Sequence, residues 1–207
     1  MSVEPLSSVA RARIPVQERS QQRVAQIIEA AEHLLVKLGP EETSIPEIAK
    51  LTGIPRASIY QFFPNKYALF NHLAEYYLGQ VSEAIKQLGA SCHDLSWQQA
   101  TSVLVQGSSA FYNQSPIASM LVLGGPFSRS AYMAQEVTIV NIGQSVRQLF
   151  ANLAQPFNPP STPDTATYAV EIAFACMKHG YYEDGSITEG TQEQATHAAV
   201  AYLSRWQ

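Results

Sequence analysis

The stretch from Ser44 to Lys66, SIPEIAKLTGIPRASIYQFFPNK, admits few folds. Gly53, Pro55 and Pro64 cut it into two short pieces, yet each carries apolar residues at helical spacing. In the first piece Ser44 and Glu47 match a capping box, the serine oxygen accepting from the third N–H while the glutamate reaches back. Ile45, Ile48 and Ala49 then form the inner stripe of a helix over 45–52, and Gly53 suits the left-handed residue that ends it. A helix over 55–63, at 100° per residue, puts Pro55, Ile59, Phe62 and Phe63 on one side. Arg56, Ala57, Tyr60 and Gln61 fall on the other, with Ser58 on a flank. Pro55 fits an early helical position, where its missing N–H costs nothing. One face is built for burial and the other for reading a partner. Two short helices joined at a glycine, the second with a polar outer face, read as a helix-turn-helix.

The surrounding sequence is helical as well. Val24, Ile27, Ile28, Ala31, Leu34, Leu35 and Leu38 recur at helical spacing from Ser20 until Gly39 and Pro40 stop the run. Asn65 is a good cap for a fourth helix reaching about Leu88, long enough to leave a first domain and enter a second. Further helices are expected over 95–113, 116–123, 127–154, 163–183 and 191–206, the last begun by a second capping box at Thr191 to Gln194. No strand alternation or internal repeat appears, so the fold class is all-α. The expected organisation is a flexible basic arm (1–19), a helix-turn-helix domain (20–66) and a larger helical domain (67–207).

Composition narrows the function. Of the 207 residues 46% are hydrophobic and 14% charged, the balance of a globular chain. No apolar run is long enough for a membrane span and the N-terminus lacks the apolar core of a secretory signal, which leads to a cytoplasmic expectation. The net charge of −4 is unevenly spread: residues 11–23 hold Arg11, Arg13, Arg19 and Arg23 against Glu18 alone. Local patches rather than total charge decide phosphate binding. Cys92-His93 and Cys176-x-x-His179 fall short of the four ligands of a zinc site, and no other cofactor signature appears. There is no nucleophile elbow, Gly-rich phosphate loop or carboxylate pair, so the chain does not read as an enzyme.

Residues 165–181 are apolar nearly all round, including Ile172, Ala173 and Cys176, and such a helix must be covered on both sides. The final helix sets Ala195, Ala198, Ala199, Tyr202, Leu203 and Trp206 in one stripe. Either both helices are central to a monomer core or they meet their own copies. A C-terminal helix is seldom the centre of a core, which favours a homodimer interface built from these nine residues.

The pattern from Val24 to about Leu69, above all IPEIAKLTGIPRASIYQFFPNKYALF, resembles the TetR family of bacterial transcriptional regulators. The resemblance implies a dimeric regulator, most often a repressor, that places one recognition helix per subunit in successive major grooves of a palindromic double-stranded operator and is released by a small-molecule effector. It sets Arg56 and Ala57 against base edges, Tyr60 against a base or the backbone, and Ser58, Gln61, Lys66, Thr43 and Ser44 near phosphates. Arginine is the commonest reader of guanine and alanine can meet a thymine methyl, so the residue types agree. Pro55 and Tyr67 depart from the Ser or Thr and the acidic residue common at those places. The family's habit of a cavity between helices makes Phe111, Tyr112, Met120, Met133, Phe174 and Met177 candidate ligand contacts, and the few charges nearby favour a neutral lipophilic or aromatic effector. The rival reading is a helical small-molecule-binding or protein-interaction module with a vestigial helix-turn-helix.

Overall fold

The computed structural model describes residue 12 and residues 18–207, so the expected arm lies largely outside the described residues. Among these the chain is helical, without a strand. Helix α1 (Glu18–Glu42) changes direction at Gly39, whose φ of 79° only glycine adopts freely, and Pro40 opens its last turn. Helix α2 (Ile45–Thr52) is capped by Ser44, which accepts from the Glu47 N–H, and it ends at Gly53 with φ 70°. Helix α3 spans Arg56–Phe62. Pro55 stands outside it as the residue before the first turn, with an extended ψ of 136° and an exposed ring, so it is not part of the buried face the helical wheel gave it. Ile59 and Phe63 are fully buried and Phe62 half-buried, as the wheel required.

Helix α4 (Lys66–Ala90) starts at Asn65, whose side chain accepts from the Ala68 N–H at 2.9 Å. Helix α5 (Trp97–Gln114) begins with a complete capping box, Ser96 and Gln99, that the periodicity alone does not announce. A short α6 (Pro116–Ala118) widens into a π turn over Ser119–Leu123, followed by α7 (Arg129–Ala151), α8 (Thr165–Asp184) and α9 (Glu189–Ser204). The last of these starts ahead of the expected capping box: Thr188 is the cap and accepts from the Thr191 N–H at 3.2 Å. Thr191 therefore serves inside the first turn rather than before it.

Two apolar clusters result. One joins α1, α2 and α3 to the start of α4 through Ile27, Leu35, Ile48, Ile59, Phe63 and Phe70, and it takes in Leu121 of the π turn. The other gathers the rest of α4 with α5, α7, α8 and α9. Helix α4 thus belongs to both, with Leu69 and Leu73 in the first and Leu78, Val81 and Ile85 in the second.

The expected dimer stripe is split by this packing. Ala195, Ala199 and Leu203 of α9, and Ala173 of α8, are buried in the chain's own second cluster. The small size of the three alanines suits a close approach of α8 to α9 within one chain, as does Gly180, where a Cβ would lie 2.5 Å from the Thr191 side chain. These four side chains cannot face a second copy.

Candidate nucleic-acid interface and effector cavity

The polar face of α3 is set by its buried face. Ile59 and Phe63 anchor the helix in the first cluster, and Arg56, Ala57, Tyr60 and Gln61 are left exposed along the opposite side. Ser58 lies half-buried on the flank. The short α2 and the left-handed Gly53 hold this face outward, an arrangement of a helix that can enter a major groove side-on. Arg19 and Arg23 are exposed on the first turns of α1 and add positive charge to the first unit.

Three of the expected phosphate contacts make hydrogen bonds within the chain. Thr43 is 0% exposed and its hydroxyl donates to the Gly39 carbonyl at 2.7 Å, closing the kink of α1. Its side chain is a structural lock, not a surface donor. Ser44 stays half-buried with its hydroxyl accepting the Glu47 N–H. Lys66 folds back so that its ammonium donates to the carbonyls of Pro40 (3.1 Å) and Glu41 (2.9 Å), oxygens that the last turn of α1 leaves without helical partners. The sequence placed Lys66 beside a helix N-terminus but could not show the carbonyls in reach. Lys66→Ala is therefore expected to lower stability by about 1.5–3 kcal/mol, the range for hydrogen bonds from a charged donor. Chemical denaturation measures this; unchanged stability with weaker binding to all DNA would return Lys66 to the phosphates.

In the second cluster a cavity of ≈ 80 Å³ lies among α4, α5, α7, α8 and α9. Of the six candidate ligand contacts, Tyr112, Phe174 and Met177 line it. The other three candidates do not. Phe111 packs half-buried outside it, Met120 belongs to the first cluster through the π turn, and Met133 is 51% exposed on α7. The sequence missed Gln135, which shares the inward stripe of α7 with Ile139, Ile142 and Val146 and lines the cavity with them. A glutamine in register with three β-branched residues at helical spacing was the available signal. Among the described residues, none that is charged lines the cavity. Its hydroxyls Thr101, Ser108 and Thr138 all donate to carbonyls one turn back, at 2.7–2.9 Å.

Comparison with known proteins bears on both units. Residues 27–73 match the family described as bacterial regulatory proteins, tetR family. That match covers most of α1, all of α2 and α3 and the start of α4, the elements that form and support the exposed recognition face. The chain is similar to TetR-family regulators, in sequence over this segment and in fold over most of its length. Over 58 residues, 28% of each chain, it is 43% identical to the HTH-type transcriptional regulator TtgR of Pseudomonas putida, so the match reaches little more than a quarter of that relative. A TetR-family transcriptional regulator from Streptomyces coelicolor shares the fold with a TM-score of 0.67 at 19% identity, over 89% of this chain and 99% of that one. SmeT in complex with triclosan superposes with a TM-score of 0.58 at 15% identity, over 89% and 91%.

In the second unit the outer side of α8 and α9 is what remains of the expected dimer stripe. Tyr168 packs beside Tyr202, ring centroids 6.3 Å apart, and Gly180 beside Thr191, so the two helices run antiparallel and Ile172 stands level with Ala198. Ile172, Cys176, Ala198 and Tyr202 are half-buried and Trp206 is exposed. They form an apolar surface that crosses both helices.

Proposed function

We propose that the chain is a ligand-responsive DNA-binding regulator that represses transcription from a palindromic operator as a homodimer. The observation that carries this is the exposed Arg56, Ala57, Tyr60 and Gln61 face of α3, held rigid by the burial of Ile59 and Phe63. Arg56 would read a guanine edge, Ala57 a thymine methyl, Tyr60 a base or the backbone, while Gln61 and Ser58 reach phosphates. In this reading residues 20–66 bind DNA and 67–207 bind effector and a second copy, through Ile172, Cys176, Ala198, Tyr202 and Trp206. Such a regulator works in the cytoplasm and needs no catalytic chemistry.

Helix α4 supplies the coupling. Leu78, Val81 and Ile85 line the cavity, while Leu69, Phe70 and Leu73 of the same helix pack against the recognition unit. The cavity is about half the ~150 Å³ that takes up a benzene ring. A lipophilic effector larger than that must spread the helices around it, and displacement of α4 tilts α3 against its symmetry mate. The effector then favours a population in which the two recognition helices no longer match successive grooves. Two contacts transmit the movement: the Tyr77 hydroxyl donates to Glu32 of α1 at 2.8 Å, and the Asn71 amide donates to Ser128 and Ser130 at the start of α7. That a fold relative is found with triclosan supports a small lipophilic effector.

The test is a gel shift with DNA upstream of the chain's own gene. A retarded band that random DNA does not compete away supports the reading. Small-molecule binding without affinity for any DNA would favour the module with a vestigial helix-turn-helix.

A further inference from the structure

Among the described residues, two polar side chains of the cavity make no hydrogen bond through their polar ends. Gln135 of α7 and Tyr112 of α5 are 8% and 3% exposed, and both line the cavity. Among the hydrogen bonds of the described residues, none involves the Gln135 carboxamide or the Tyr112 hydroxyl, whereas the three cavity hydroxyls of Thr101, Ser108 and Thr138 are all occupied by backbone carbonyls. Among the described residues, no fully buried side-chain nitrogen or oxygen lacks a partner. The polar atoms of Gln135 and Tyr112 therefore keep some accessible surface, and both residues line the cavity. Buried polar groups without partners are costly, and a cavity that keeps two of them in an otherwise apolar wall is shaped for something that supplies the bonds.

We infer that Gln135 and Tyr112 are the polarity-reading pair of the effector site, selecting an uncharged, mostly apolar molecule that carries one hydroxyl or carbonyl group. This rests on the cavity being the effector site, as proposed above. The carboxamide offers two donors and one acceptor oxygen, and the phenol offers one donor and an acceptor. A ligand hydroxyl satisfies both, donating to the Gln135 oxygen and accepting from Tyr112; a carbonyl accepts from either. Burial raises the Tyr112 phenol well above its usual range, so it remains a neutral donor at physiological pH. A carboxylate or ammonium finds no charge of opposite sign on the wall and loses its hydration without compensation. An all-hydrocarbon ligand leaves both side chains unpaired, the situation in which a polar site rejects an analogue most strongly.

Three ligands on one frame test this: cyclohexylmethanol, methylcyclohexane and cyclohexanecarboxylate. Their dissociation constants are measured by NMR titration on the intact protein and on Gln135→Leu and Tyr112→Phe, after thermal melting of each variant. Tyr112→Phe removes one oxygen and keeps the ring, so it provides the test even if Gln135→Leu misfolds. The alcohol is expected to bind and the carboxylate not. The ratio of hydrocarbon to alcohol dissociation constants is expected to fall about tenfold in each variant, the worth of one buried hydrogen bond. A ratio unchanged within about twofold in both variants, or a carboxylate that binds as well as the alcohol, overturns the pair while leaving the cavity as the effector site. If the wild-type cavity resonances respond to none of the three ligands, the pair and the effector-site reading fall together.

Discussion

Ala199→Glu is expected to destabilise the chain by about 3–5 kcal/mol, because it places an unpaired carboxylate in the second cluster. Ala199 is 1% exposed, lines the cavity, and sits where α9 packs between α8 and α5. Among the described residues none that is charged lines the cavity beside it, so the new charge would have to be neutralised or drag α9 outward. Urea unfolding followed by circular dichroism measures the loss. A midpoint equal to wild type would mean that α9 does not pack as described.

The neighbouring substitution should do the opposite. Ala198 is half-buried on the outer side of α9, level with Ile172, so Ala198→Glu leaves the chain's own core intact. In a two-fold dimer built on this surface the same carboxylate appears twice and is buried without a partner. The variant is expected to melt as wild type after allowance for lost association, to sediment as a monomer, and to bind operator DNA about 100-fold more weakly or worse, since two linked half-site contacts become independent. A variant that remains a dimer with full affinity moves the interface elsewhere. The exposed Met133, Val137 and Val140 stripe of α7 is then the next surface to alter.

The recognition unit was legible in the sequence because its signals are local. Ser44, Gly53 and Asn65 each declare a helix end through bonds within three or four residues, and the face of α3 follows from a seven-residue spacing. Thr43 and Lys66 were misjudged for the converse reason. Their partners, the Gly39 carbonyl at a kink and the Pro40 and Glu41 carbonyls 25 or 26 residues away, depend on how α1 ends in space. The second unit shows the same division. That α8 and α9 are apolar stripes could be read directly, but not which small residues meet the chain's own helices and which are left outside. Periodicity gives a face its direction only relative to a neighbour. The six aromatic and methionine candidates for the cavity rested on residue type and the family's habit, and Met133 shows the weakness of that criterion: it stands on the solvent side of α7, two residues from Gln135, which lines the cavity.

The central claim is that the outer face of α3 reads bases. It is tested by titrating wild type and Arg56→Ala against the footprinted operator, a set of single-base variants of it, and random DNA at fixed salt. The expected result is a loss of about 1–3 kcal/mol on the operator, with preference relaxed at one base position per half-site and little change on random DNA. Equal affinity of the two proteins for every one of these sequences would contradict it.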